Sequence, residues 1–191
     1  MAFIVTTERG RGLILTENKL SEHHFYGCSG RQKKNNNPDP KRCLDWTSLK
    51  SDLPAQCWQL NWAAGTRQNR RYWDHIQLSE HGQAILKRCP AASDGYQLFR
   101  QQALAEAIAR TGHYDLVVSS VAYDERNLAL LHSLRNAGVN SFAKDWGSLF
   151  EGRARFAAWT HQEWVSWVRT HSAGQDWQDW LTYIESRYGY S

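Results

Sequence analysis

The chain has 191 residues, 41% of them hydrophobic and 22% charged, with four cysteines and a formal charge of +4. That balance excludes a disordered chain and fits one globular domain with its own core. No apolar stretch is long enough to span a membrane and no signal-peptide pattern is present, so a cytoplasmic location is expected. The mildly basic charge permits a nucleic-acid partner without requiring one.

The first predicted element is a β-hairpin. Ala2 to Thr7 is apolar and β-branched, Gly10 and Gly12 suit a tight turn, and an apolar run from Gly12 leads to Glu17-Asn18-Lys19. A turn centred near Gly10 puts Glu17 roughly opposite Phe3. Side chains alternate along a strand, so Glu17 and Lys19 share the face of Leu13 and Leu15 while Asn18 points away. A carboxylate and an ammonium so placed can hold a divalent metal and orient a water beside it. Glu-x-Lys arises by chance at about one position in 280, so the surrounding elements decide its meaning. Just beyond it, Glu22 is a candidate auxiliary ligand, and His23 and His24 read as loop residues pointing to opposite sides.

Residues 30–54 read as an inserted basic loop. Arg31, Lys33, Lys34, Lys41 and Arg42 lie in a stretch without periodicity that contains Pro38 and Pro40. Lys33, Lys34, Lys41 and Arg42 are the candidates for contact with a phosphate backbone. Arg67, Arg70 and Arg71, beside Tyr72 and Trp73, form a second basic and aromatic patch. Cys28, Cys43, Cys57 and Cys89 show no Cys-x-x-Cys spacing, so they read as ordinary buried thiols, with a four-cysteine zinc site as the alternative.

A helix is predicted over 95–110, started by Ser93-Asp94 and stopped by Thr111-Gly112. Gln97, Arg100 and Gln101 fall on one face near its start. Tyr114 to Val121 then reads as a buried strand of the parallel-sheet kind. The region 145–190 reads as helical and rich in tryptophan. Trp164, Trp167 and Val168 share one helical face, Trp177, Trp180, Leu181, Ile184 and Tyr188 share another, and Thr160 to Glu163 is a capping-box pattern. These aromatic faces are expected to pack on the sheet; a stacking surface for bases or sugars is the alternative.

The order hairpin with Glu-Asn-Lys, helix beginning Tyr-Gln-Leu-Phe-Arg, then strand resembles the core of the PD-(D/E)XK nuclease superfamily, in its restriction-endonuclease-like branch, over roughly residues 1–122. The resemblance implies an α/β fold with a three-layer core, a mixed central sheet flanked by helices, lacking here its first helix and strand. It implies magnesium-dependent hydrolysis of DNA phosphodiester bonds, with Glu17 as metal ligand, Lys19 orienting the attacking water, Gln97 supporting both and Arg100 on phosphate. Some members of the superfamily also carry a four-cysteine iron–sulfur cluster with one ligand ahead of the nuclease motifs, whereas Cys28, Cys43, Cys57 and Cys89 all follow Lys19 here. The family also places an Asp at the start of the first hairpin strand. Met1 stands about there, and Glu8 lies at the far, turn end of the hairpin. The expectation is therefore a nuclease-like protein inactive as it stands unless an acidic residue precedes Met1. The competing expectations are a DNA-binding relative without catalysis and an aromatic-rich interaction or sugar-binding module.

Overall fold

The protein is described by a computed structural model that covers residues 1–8, 10–31, 37, 39–61 and 71–190. The hairpin forms as β1 (Ala2–Thr7) and β2 (Gly10–Lys19), antiparallel from Thr7 opposite Gly10 to Ala2 opposite Leu15. Gly10 has φ +117°, and a Cβ there would collide with the Asp115 carboxylate, which accepts the Arg11 amide at 2.8 Å. Only glycine meets both demands.

Short elements follow. Residues Ser29–Arg31 and Pro40–Leu44 are single 3-10 turns, and α1 (Trp46–Ser51), α2 (Leu53–Gln56) and α3 (Trp58–Asn61) are one to two turns long. The segment read as a basic loop is thus structured wherever it is described. It folds because it delivers Cys43, Trp46 and Leu49 into the main core, not because it has helical periodicity. Next come β3 (Gln77–Leu78), α4 (Glu80–Ile85) and α5 (Tyr96–Arg110), then β4 (Leu116–Tyr123), α6 (Leu128–Leu131) and α7 (Phe142–Asp145). The chain ends with β5 (Phe150–Glu151), β6 (Arg155–Thr160), α8 (His161–His171) and α9 (Gln175–Tyr188).

The sheet has four strands in the order β1-β2-β4-β6, with β2, β4 and β6 mutually parallel. Strand β4 sits two residues later than the sequence indicates, and β6 lies inside the region read as wholly helical. Helix α5 covers one face of the sheet. Ala105 and Ala109 pack on Val117 and Leu15, while Phe99 and Leu98 join Val121, Phe142 and Trp146 in the main core. The other face is exposed to half-buried at Met1, Phe3, Ile14 and Val118 and buried at Thr16, Ser120 and Ala122. The mixed α/β architecture accords with a restriction-endonuclease-like fold.

Two polar anchors fix α5 to the strands. Gln101 donates from one amide nitrogen to the Leu15 carbonyl at 3.1 Å and to the Ser120 carbonyl at 2.8 Å, bridging β2 and β4. Glu106 is fully buried and accepts the amides of Arg153 and Ala154, at 3.0 and 3.3 Å, as the chain enters β6.

The last two helices depart from expectation. Val165, Val168, Leu181 and Tyr190 form a small core of their own, so α8 and α9 pack on each other beyond the end of β6 instead of lying across the sheet. Trp164 and Trp167 are about half exposed and stack at 5.5 Å, with His171 continuing the stack. Val165, Val168, Leu181 and Tyr190 face inward with Trp180 half-buried against them, while Trp164, Trp167 and Trp177 stay largely outside. The capping box forms as read: Thr160 accepts the Glu163 amide and Glu163 accepts the Thr160 amide.

Candidate active site

The parallel strands β2, β4 and β6 all end at one edge of the sheet, and α5 begins there. Ligands of open parallel sheets bind outside the carboxyl ends of the strands. Here that edge gathers Glu17, Lys19 and Glu22 from β2 and its exit, Asp124 from just past β4, His161 from just past β6, and Gln97 from α5.

Lys19 is the centre. Its side chain is 1% exposed, and its ammonium lies 3.3 Å from Glu17 Oε1 and 3.4 Å from Glu22 Oε1. It donates to Gln97 Oε1 at 2.7 Å. Its three N–H groups thus meet three oxygens, which is what a buried ammonium requires. The rings of Phe25 and Tyr26 lie 5.7 and 5.4 Å from Nζ and add cation–π attraction.

The same two aromatic residues explain how α5 starts. The Tyr96 and Gln97 amides donate to the carbonyls of Tyr26 and Phe25, and the Phe25 amide donates to Asp94. The chain leaving β2 therefore caps the helix through its backbone, in place of the side-chain cap expected from Ser93-Asp94. Asp94 instead adopts φ +68° and Gly95 is the residue before the helix. This arrangement aims Gln97 at Lys19.

Glu22 folds back to accept the Leu20 amide at 3.1 Å. Burial opposes its ionisation, but its own amide, the Lys19 charge and the Leu20 amide outweigh that and hold its carboxyl below the ordinary range. His161 donates from Nε2 to the Lys19 carbonyl at 3.3 Å and stacks on Tyr190. Burial lowers its pKa, partly offset by that hydrogen bond and the nearby Asp124. Asp124 accepts both Nε and Nη2 of Arg126, at 2.9 and 2.6 Å, together with Gln162 Nε2 at 2.8 Å and the Tyr190 hydroxyl at 3.2 Å. The Arg126 hydrogen bonds, against a smaller effect of burial, hold its carboxyl far below the usual range.

The predicted residues are sorted accordingly. Glu17, Lys19, Glu22 and Gln97 come together; Arg100 does not join them, being exposed with its guanidinium 5.8 Å from the Tyr96 ring. Glu17 is not opposite Phe3, because Phe3 pairs with Ile14 and the turn falls closer to Thr7 than to Gly12. Met1 pairs with Thr16, exchanging hydrogen bonds of 2.8 and 2.9 Å. It therefore lies on the opposite face from Glu17, and the place directly across from Glu17 is one residue before Met1. Lys33, Lys34, Arg67 and Arg70 lie outside the described residues. Lys41 is exposed, whereas Arg42 is half-buried, donating to the Gln56 carbonyl at 3.4 Å and facing Asp39 at 3.6 Å, so it is tied to the protein itself. Arg71 is paired with Asp74. His24 accepts the Tyr26 amide at 3.1 Å, and His23 is exposed.

Asp124 and His161 were not legible as site residues. Each is a single polar residue at a strand end, and only the parallel order of β2, β4 and β6 in the fold brings them to this edge.

As a donor set for a hard cation, the edge offers Glu17, Glu22 and the Gln97 amide oxygen. Among the described residues no group of three or more His, Cys, Asp or Glu is arranged to hold a metal ion. Two carboxylates nonetheless suit magnesium, which takes one or two from a protein and fills its remaining positions with water and substrate phosphate.

Among the described residues, no helix is long and apolar enough to cross a membrane. No curated protein and no solved structure matches the chain. A family match does cover nearly all of it, residues 1–189, and that family is described as restriction endonuclease associating with ARP. The chain belongs to this REase-ARP family, whose restriction-endonuclease character fits the hairpin with Glu17 and Lys19 at the carboxyl edge of its sheet.

Proposed function

We propose that this protein is of the PD-(D/E)XK kind and acts on DNA, hydrolysing phosphodiester bonds with magnesium at Glu17 and Glu22 and with Gln97 holding Lys19 beside them. The observation that carries the reading is the fully buried Lys19, held by two carboxylates and one amide oxygen at the end of a parallel strand. Burying an ammonium costs several kcal/mol before compensation, so its retention there points to chemistry more than to stability.

Glu17 and Glu22 would hold the magnesium, which when bound would supply a Lewis acid to the phosphoryl oxygen and a water of lowered pKa. When Glu17 and Glu22 turn to hold the cation, Lys19 keeps Gln97 and has two N–H groups left. One donates to a non-bridging phosphate oxygen, whose negative charge grows in the transition state; the other orients the attacking water. Gln97 fixes the ammonium so that neither donor wanders. Lys41 and Arg100, both exposed, and Lys33 and Lys34 supply positive charge for the DNA backbone.

The test uses supercoiled plasmid DNA with magnesium or with EDTA. The register places an added residue ahead of Met1 opposite Glu17 and on its face, so an Asp there completes an acidic pair. That extended form is expected to cut, and the chain without it to cut little or not at all. In the extended form, Glu17→Gln and Lys19→Ala are each expected to lower the rate at least a hundredfold, about 3 kcal/mol. Equal cleavage by all three proteins overturns the reading.

A DNA-binding relative without catalysis is the second reading, favoured by the sequence of β1, Ala-Phe-Ile-Val-Thr-Thr, which carries no acidic residue. Duplex binding with no magnesium-dependent cleavage in the extended form would establish it.

A further inference from the structure

Cys28, Cys43, Cys57 and Cys89 come from four separate segments, yet all four are buried and all line one small cavity beside Trp73 and Phe99. No disulfide links them. Their surroundings are unlike those of thiols that merely fill a core, which need no polar partners. The Gly30 amide and the Gln59 side-chain nitrogen each donate to Cys28 Sγ at 3.4 Å. The amides of Leu60 and Gln59 and the Trp73 side chain donate to Cys57, and the Ala92 amide donates to Cys89. Burial, then the neighbouring Cys28 and Cys57, pushes the Cys43 thiol up to about 11 against the guanidinium charges of Arg31 and Arg42, and burial raises Cys57 and Cys89 as well, so without a metal these groups stay neutral thiols. Gln59, 4% exposed, lines the cavity, and its Oε1 has no hydrogen-bond partner there.

Cys28, Cys57 and Cys89 each stand at the start of a helical turn whose following N–H groups point back at the sulfur. Hydrogen bonds of this kind are strong only when the acceptor is negatively charged. A neutral thiol gains little from them; a metal-bound thiolate gains a great deal, and such bonds are among the features that tune cysteine-held clusters.

We propose that Cys28, Cys43, Cys57 and Cys89 are the four ligands of one iron–sulfur cluster, which staples residues 28–92 to the start of α5. A single zinc ion draws its four sulfurs to 2.3 Å from one point, hence about 3.8 Å from one another. Among the described residues no three cysteines are grouped for a single ion. A polynuclear cluster takes thiolates that stand further apart. Arg31 and Arg42 offset the negative charge that four thiolates leave behind.

A staple is also what this segment lacks. Its helices α1 to α3 have six, four and four residues, too short to persist without outside support. The Cys28 amide donates to the Ala91 carbonyl at 2.8 Å and the Cys89 amide to the Cys43 carbonyl at 3.0 Å. Phe25 and Tyr26, which cap α5, are only three and two residues before Cys28. The cluster would thus hold in place the helix start that aims Gln97 at Lys19. The proposal rests on neither Glu17 nor Lys19, so it stands or falls apart from the cleavage reading.

The test is chemical analysis of the whole protein, expressed with iron and purified without oxygen. Iron and acid-labile sulfide are expected in equal amounts, about two or four of each per chain, with visible absorption that dithionite bleaches. Lys19→Ala should contain as much iron as the unaltered protein. Cys57→Ser and Cys43→Ser should each lose at least half of it. Zinc without iron or sulfide overturns the proposal. So does protein that binds no metal and whose four thiols all react with a thiol reagent, or full iron retention in both serine variants. If those variants fail to fold, the composition of the unaltered protein still decides.

Discussion

Gln97 accepts a 2.7 Å hydrogen bond from Lys19 across a sequence separation of 78 residues. It touches the ammonium, not the scissile phosphate, so it acts by positioning. In the cleavage-competent form, Gln97→Ala is expected to lower kcat about tenfold, ~1.4 kcal/mol, while KM changes less than twofold to threefold. Gln97→Glu keeps an acceptor oxygen at that place and should recover most of the loss. Equal changes in kcat and KM, or no recovery with Glu, would assign Gln97 a merely structural part.

That pairing also shows how far the sequence could be read. The hairpin, α5 and β4 were legible because period-2 and period-3.6 patterns persist over six or more residues. Once they dock, Glu17, Lys19 and Gln97 meet, as the resemblance implied. Gln101, legible only as part of the polar face near the start of α5, turns out to bridge β2 and β4. Residues 28–92 were not legible, since segments of three to six residues show no period. The convergence of four cysteines is tertiary information that spacing does not carry. Strand β6 was hidden because Arg155 to Thr160 is short and flows directly into the Thr160 capping box of α8.

Glu106 tests the support of β6. Its carboxylate takes two backbone amides of residues 153 and 154 while only 1% exposed, and a Cβ on Gly152 would collide with it. Glu106→Ala leaves two partly buried donors unpaired and opens space around a buried position, so urea unfolding should show a loss of about 2–4 kcal/mol. A loss below about 1 kcal/mol would mean that the 152–154 turn re-forms without it.

His161 should set the first acid limb of stability. Its folded pKa is lowered, chiefly by burial, from the ordinary 6.5. The unfolded chain then holds more protons than the folded one just below that pH, so stability falls as pH falls through 6.5 and is level above it. His161→Gln can still donate to the Lys19 carbonyl but does not titrate. Melting temperatures measured between pH 7.5 and 5 should decline less in that variant, and an identical decline would place the acid-sensitive group elsewhere.

Asp124 joins the sheet to the C-terminal helices, since its carboxylate binds Gln162 of α8, Tyr190 beyond α9, and Arg126, whose guanidinium donates to the Tyr188 carbonyl at 2.9 Å. Its depressed pKa means that this contribution is present above the ordinary 3.8 and is lost as pH falls through the lower folded value. Asp124→Asn keeps the volume but removes the charge from every one of these bonds. Amides of α8 and α9 are then expected to exchange about tenfold faster, ~1.4 kcal/mol of opening free energy, with those of β2 and β4 unchanged. Burial, then the Asp124 charge, pushes the Tyr190 hydroxyl up to about 12 from 10. Its titration, followed by ultraviolet absorbance, should move down in the same variant. Unaltered exchange together with an unaltered Tyr190 would show that the small apolar core of Val165, Val168 and Leu181 holds the two helices without Asp124.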